Sequence, residues 1–352
     1  MDDRLAFLRQ TTTTSSFPLP CSFKDKSGEV ELNYWPAQRG TSSPPSHLIL
    51  FILGNPGLLG YYPPFLTHLQ SLLPPSYAIL ATSHIGHSTT IPSPKDPLDL
   101  PQQLESKIEL VQSLRTYLDG WSTEDGNTSS DKPKLSLMGH SVGAWLTCEV
   151  MKQVNTSPNE QEWPVESGLL LFPTLGWISN TWNGWTLWPI FHRPFKPLLP
   201  LLSPLIRPLL PYTSLPPTSV SLVNSSEVIK HVLHLSRSEM DLIRDPDLEW
   251  FKLQNTREHG GGKGLYGVWA KGNLDGWVGR DGPLVQDALG GEEGGRVKVL
   301  DGVPHAFCLT QENSELVAEA VASWLNPTSS HKPIESPSTH PKEPLGANVM
   351  PM

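Results

Sequence analysis

The chain has 352 residues, long enough to bury one large core plus an insertion without covalent staples. Its formal charge of −9 and pI near 5.7 supply no basic footprint for neutralising phosphates, which excludes nucleic acid as an expected partner. Three cysteines, Cys21, Cys148 and Cys308, are too few and too scattered for a disulfide framework and read as small hydrophobes in a reducing compartment.

From the N-terminus, residues 1–25 hold charged residues and a Thr/Ser run without a continuous apolar core, so a flexible segment is expected and a cleaved secretory signal is not. Val30 to Trp35 predicts an early strand, and His47 to Leu53 (HLILFIL) a buried one ending in the turn formers Gly54, Asn55, Pro56 and Gly57. Tyr61 to Leu73 has helical spacing, Tyr77 to Thr82 reads as a strand, and Leu100 to Leu118 as a helix with Leu104, Ile108, Val111, Leu114 and Leu118 on one face. Lys134 to Met138 predicts a short strand and Ala144 to Val154 a helix, with Gly139 to Gly143 squeezed between them. Gly168 to Phe172 is a further strand.

There the composition changes. Asn180 to Pro217 is crowded with Leu, Trp and Pro, and Pro197, Pro200, Pro204, Pro208 and Pro211 recur every three or four residues, which makes a regular helix costly. Ser225 to Leu253 returns to helical character, Gly264 to Ala270 and Arg296 to Val303 predict strands, and Ser314 to Leu325 a final helix. Residues 326–352 are rich in Pro, Ser, Thr and Lys and are expected to be disordered. Alternation of buried strands with amphipathic helices predicts an α/β domain over 26–325, a mostly parallel sheet flanked by helices, with an apolar cap or membrane-association insertion at about 177–250. No run of about 18 uninterrupted apolar residues is present, so an ordinary spanning helix is not expected.

The chemistry is concentrated in three segments. Gly139-His140-Ser141-Val142-Gly143 fits G-x-S-x-G, and its setting between a strand and a helix is that of a nucleophile elbow, the hallmark of the α/β-hydrolase fold. A serine hydroxyl needs a base to remove its proton and an acid to orient that base. His305, in the loop between the last strand and last helix, is the candidate base. Asp275, in a glycine-containing loop after the strand Gly264 to Ala270, is the favoured acid, with Asp281 and Asp301 as rivals; the chain order Ser, Asp, His is the one this fold uses. An oxyanion hole needs two N–H donors, for which Val142 and Asn55 are the candidates; Pro56 has none to offer, while Gly57 and Leu58 remain open. His84 and His87 have no further ligand at matching spacing, so a loop role beside the active-site rim is expected rather than a metal site. Neither a cofactor nor a metal is expected.

Leu53-Gly54-Asn55-Pro56-Gly57 with Tyr61, Tyr62 and Phe65 shortly after, Gly139-His140-Ser141-Val142-Gly143-Ala144, Asp275-Gly276-Trp277-Val278 and Pro304-His305-Ala306-Phe307 together resemble the lipid droplet-associated hydrolases over roughly Val30 to Leu325. The resemblance implies a serine hydrolase of hydrophobic lipid esters, such as sterol esters or acylglycerols, on lipid droplets and the cytosolic face of the endoplasmic reticulum. It carries Ser141, Asp275 and His305 over as triad members. Trp182, Trp185, Trp188, Leu198, Leu199, Leu201 and Leu202 are the expected membrane-associating residues, because amphipathic rings and an apolar, crooked segment suit a single phospholipid leaflet. The competing expectation is a catalytically weak droplet-organising protein with a hydrolase shell.

Overall fold

The computed structural model describes residues 2–24, 26–126, 132–157, 163–192, 195–206, 208, 210, 215–257, 263–272, 275–279 and 281–326. Eight strands form one sheet in the order β1-β2-β4-β3-β5-β6-β7-β8: β1 (Ser15–Phe23), β2 (Lys26–Trp35), β3 (His47–Ile52), β4 (Tyr77–Thr82), β5 (Lys134–His140), β6 (Ser167–Leu171), β7 (Gly264–Ala270) and β8 (Val297–Leu300). β1 and β2 run antiparallel to their neighbours, and β3 to β8 are all parallel.

β3 shows why the centre of the sheet reads as an unbroken apolar run. Leu48, Leu50 and Ile52 enter the core on one face, packed under α3 (Leu100–Glu124) and α4 (Val142–Val154), while Ile49, Phe51 and Leu53 enter the core on the other, under α2 (Pro63–Leu72) and α11 (Gln311–Leu325). A strand covered on both faces has no polar side to display. Helix boundaries follow local signals: Asp99 caps α3 through a capping box with Gln102, and Thr310 accepts from Asn313 N–H to start α11.

Two expectations are corrected and a third is refined. Within the segment 1–25, β1 and a short helix α1 (Phe7–Gln10) are formed, with Leu5, Leu8, Leu19 and Cys21 buried. Pro18 and Pro20 disguise β1 as a loop, yet proline is tolerated on an edge strand, where two positions of equal parity can turn their missing N–H outward. The Asn180 to Pro217 stretch contains two real helices, α5 (Trp182–Phe191) and α6 (Leu198–Ile206), each with one interior proline, Pro189 and Pro204. Helix α6 offsets the bond lost at Pro204 locally, since Ser203 Oγ donates to the Pro200 carbonyl at 3.2 Å. The Ser225 to Leu253 segment is two helices, α8 (Ser226–Leu242) and α9 (Leu248–Asn255), divided at Pro246, with the Asp247 side chain capping the second. A further short helix, α7 (Pro217–Asn224), precedes α8, and α10 (Asp281–Ala288) lies between β7 and β8. The expected disordered tail lies outside the described residues apart from Asn326.

Helices α5 to α8 form the cap, held by a small cluster of Phe191, Leu233 and Met240 with Leu187, Ile190 and Leu199 around it. Among the described residues no helix is long and apolar enough to cross a membrane.

Candidate active site

The elbow begins where β5 ends. Ser141 has φ 57° and ψ −123°, a strained backbone that lifts its side chain off the sheet edge, and α4 starts at the next residue. The flanking glycines are dictated by contact: a Cβ on Gly139 would stand 2.1 Å from the Gly143 carbonyl oxygen, and one on Gly143 would stand 2.2 Å from that of Ile52. Only hydrogen fits between elbow, helix and β3.

The structure brings Ser141, His305 and Asp275 together. Ser141 Oγ lies 3.0 Å from His305 Nε2, and His305 Nδ1 lies 2.7 Å from Asp275 Oδ2. A carboxylate accepts, so Nδ1 carries the proton and Nε2 is left to accept from the serine hydroxyl. Asp275 Oδ1 in turn accepts from Trp277 N–H at 2.9 Å, which fixes the carboxylate plane. Of the rivals, Asp301 is exposed and pairs with Lys271 at 3.3 Å, and Asp281 is buried at the start of α10 against Gly176. Neither bonds to His305 among the described residues.

A second line of hydrogen bonds holds the base from behind, and its members were not assigned from sequence. His140 Nε2 lies 3.0 Å from the His305 carbonyl oxygen, and His140 Nδ1 lies 2.9 Å from Tyr62 Oη. The carbonyl can only accept, so Nε2 donates and the tyrosine hydroxyl donates to Nδ1, itself accepting from Gly54 N–H at 3.4 Å. Burial, and then the charge of nearby His305, push His140 well below the usual imidazole range, which keeps it neutral and preserves this polarity. Phe172 and Phe307 stack with ring centres 5.3 Å apart, and Phe172 meets His305 edge-on at 6.4 Å. The one signal available in sequence was His140 inside the elbow motif; Tyr62 and Phe172 lie 78 residues upstream and beyond β6, where no local pattern links them to it.

Asn55 sits in the loop after β3, joined to Pro56 by a cis peptide. The preceding Gly54 abuts the elbow, its ideal Cβ falling 3.0 Å from Ser141 Cβ. Asn55 Nδ2 lies 2.8 Å from Glu239 Oε1, 2.8 Å from Ser236 Oγ and 3.2 Å from the Val232 carbonyl oxygen, all on α8. Below this loop, His87 Nδ1 donates to the Pro56 carbonyl at 2.8 Å and His84 packs against Gly57. A cavity of about 760 Å³ opens beside Asp275, lined by Thr181, Trp182, Trp269 and Gln286; Ser141 is not among its walls.

On the cap, Trp182, Trp185 and Leu201 are 70–71% exposed, and Trp188, Leu198 and Leu202 are exposed beside them. Leu199 departs from the expectation: it turns inward against Phe191, Leu233 and Met240, because a helix one residue out of phase faces its own core. Leu205, which the sequence reading passed over, joins the exposed set at 70%.

Comparison with known proteins fits this architecture. The chain superposes on a bromoperoxidase from Bacillus anthracis with a TM-score of 0.54 at 12% identity, covering 88% of this chain and 99% of that one. It superposes equally, at 0.54 and 13% identity over 88% and 96% of the two chains, on a loop variant of a haloalkane dehalogenase from Bradyrhizobium elkanii. At such identities the likeness speaks of fold alone, and the fold is that of the α/β hydrolases. Residues 45–308 match the family described as lipid-droplet associated hydrolase, and the chain belongs to that family. It is 29% identical over 304 residues to the mouse protein named lipid droplet-associated hydrolase, covering 81% of this chain and 86% of that protein, and 29% identical over 308 residues to the rat protein of the same name.

Proposed function

We propose that the chain is a serine carboxylic ester hydrolase acting on hydrophobic lipid esters, such as sterol esters or acylglycerols, at the surface of lipid droplets and on the cytosolic face of the endoplasmic reticulum. The observation that carries this reading is the hydrogen-bonded line from Ser141 Oγ through His305 to Asp275, at 3.0 and 2.7 Å. The serine oxygen attacks the ester carbonyl while His305 Nε2 takes its proton, and Asp275 stabilises the imidazolium at Nδ1. The negative charge moves to the former carbonyl oxygen, which the N–H groups of Val142 and Asn55 receive. Val142 opens α4, so the positive end of that helix adds to the stabilisation. Collapse of the intermediate expels the alcohol, protonated by His305, and leaves an acyl-Ser141 ester. A water deprotonated by His305 then releases the fatty acid and restores the serine.

The cap and the names of the relatives support the location. Trp182, Trp185, Leu201 and Leu205 present apolar surface that water disfavours, and burying it in a lipid monolayer is worth about 25 cal/mol per Å². A fluorophosphonate probe and a neutral-lipid emulsion test both halves. Ser141-dependent labelling and fatty-acid release, both absent in Ser141→Ala, are expected. A wild-type protein that binds the emulsion but neither labels nor releases fatty acid would overturn the catalytic reading and leave a droplet-organising shell.

A further inference from the structure

We propose that Glu239 and Ser236 on α8 are positioning residues, holding the Asn55 side chain so that the loop Gly54–Gly57 keeps the Asn55 backbone N–H aimed at the oxyanion above Ser141. The proposal rests on the serine-hydrolase reading and extends it to the cap helix α8, outside the triad.

The geometry is specific. Val232, Ser236 and Glu239 stand at i, i+4 and i+7 on one face of α8, and all three present an acceptor to Asn55 Nδ2. The Val232 carbonyl can only accept, so the amide nitrogen, rather than the amide oxygen, faces the helix. Ser236 Oγ also donates to that carbonyl at 2.9 Å, which points its lone pairs at Asn55. The other holds on the loop act at its ends, where Gly54 N–H donates to Tyr62 Oη at 3.4 Å and Gly57 packs on His84, not at the Asn55 side chain. Gly54 and Gly57 have no side chains, Pro56 has no N–H, and the Pro56 carbonyl is tied downward to His87. A rotation of the Asn55 peptide would swing its N–H away from Ser141 without breaking any strand bond, and the grip from α8 opposes that rotation.

Glu239 is buried at 8% exposure, a costly place for a carboxyl. Burial pushes it up to about 8 against the pull of its bond to Asn55, so near neutral pH it is protonated and accepts through its carbonyl oxygen without placing a charge near the oxyanion. A leucine would fill the space more cheaply. What the carboxyl adds is the acceptor.

The test uses the full chain with a chromogenic short-chain ester, four single variants, one double variant and a Ser141→Ala control. Glu239→Leu removes the acceptor and should lower kcat about 10- to 100-fold, less than the loss of an oxyanion donor itself, with KM within about twofold. Glu239→Gln keeps the carbonyl acceptor and should restore kcat to within about threefold of wild type. Ser236→Ala should lower kcat severalfold, and Asn55→Ala, which keeps the backbone N–H but loses the handle, should match Glu239→Leu with no further loss in the double variant. A merely structural role would lower the melting temperature of Glu239→Leu and leave the kcat of the folded fraction unchanged, which overturns the proposal. If Glu239→Leu does not fold, unchanged kcat in both Ser236→Ala and Asn55→Ala overturns it equally. Wild-type turnover that does not depend on Ser141 removes the underlying reading and the proposal with it, and is recognised by the Ser141→Ala control.

Discussion

Strand β3 and helix α6 are both leucine-like runs, HLILFI and LLPLLSPLI, and the fold treats them in opposite ways. Every residue of β3 is buried, whereas in α6 Leu201 and Leu205 are 71% and 70% exposed, Leu199 and Pro200 are half-buried and Ser203 is buried. The difference is the number of covered faces. A central strand has helices above and below it, while α6 packs against α5, α7 and α8 on one side and, among the described residues, leaves Leu201 and Leu205 to solvent on the other. Chemistry therefore sits on the fully packed layer, where a 3.0 Å contact can be kept, and the apolar surplus sits on the cap, where it is available to a lipid surface.

If that division holds, the two regions separate under mutation. The largest effect is expected from Ser141→Ala, which should remove at least about 10⁴-fold of esterase turnover while leaving flotation with phospholipid-coated oil droplets unchanged. Loss of flotation together with turnover would mean that site and cap are not separable. Next comes Gly143→Ala: its Cβ would meet the carbonyl oxygen of Ile52, the last residue of β3, at 2.2 Å and that of Leu53, just beyond it, at 2.6 Å. Denaturant unfolding should show a loss of about 3 kcal/mol or more. Leu201→Ser, apolar to polar on the exposed face, should change stability by no more than about 0.5 kcal/mol. The combined variant Trp182→Ser, Trp185→Ser, Leu201→Ser and Leu205→Ser should reduce droplet partitioning at least about 100-fold, given about 1.5–3 kcal/mol for each such side chain fully buried. Its hydrolysis of a water-soluble short-chain ester should be unaffected. Partitioning at the wild-type level would remove the cap from the account of location.

The sheet was legible because its signal is local: HLILFIL, the strand before Gly139 and the glycine pair around Ser141 each carry their own evidence within ten residues. His305 and Asp275 were legible by position, as the loops after consecutive strands. What escaped the sequence depends on contacts between distant segments. Glu239 meets Asn55 across 184 positions, and a lone glutamate on an amphipathic helix has nothing to mark it as buried. β1 escaped because Pro18 and Pro20 are strand breakers everywhere except on an edge, and whether a strand is an edge is a property of the finished sheet. Leu199 escaped because the phase of a proline-bearing helix cannot be read from composition.

A further effect concerns pH: the deepest histidine shifts lie in the sheet layer and its loops, while His231 and His234 on α8 are also lowered by burial. His47, His84, His87 and His140 are all pushed down by burial, His47 and His87 to about 3, and all lie in the sheet layer or its loops. For a base whose folded value is depressed, the unfolded chain takes up a proton near pH 6.5 that the folded chain refuses. The stabilisation is thus present above that pH and is lost as pH falls toward the folded value, at up to about 1.4 kcal/mol per pH unit for each group. Glu239 acts in the opposite sense, since its raised value makes the folded state the better proton binder between about 4.5 and 8, but one group does not offset the set of lowered histidines. His47 gives the cleanest probe, because it starts β3 and bonds through Nε2 to Ser136 Oγ at 2.6 Å. His47→Gln keeps a polar atom at that place and does not titrate. Its unfolding free energy should equal that of the wild type near pH 7.5 and exceed the wild-type trend progressively from pH 6.5 to 5. The serine variants of the cap should shift neither slope nor midpoint of that curve. A pH dependence that flattens in the cap variants and persists in His47→Gln would show that acid sensitivity resides in the cap, against the reading of the sheet layer as its seat.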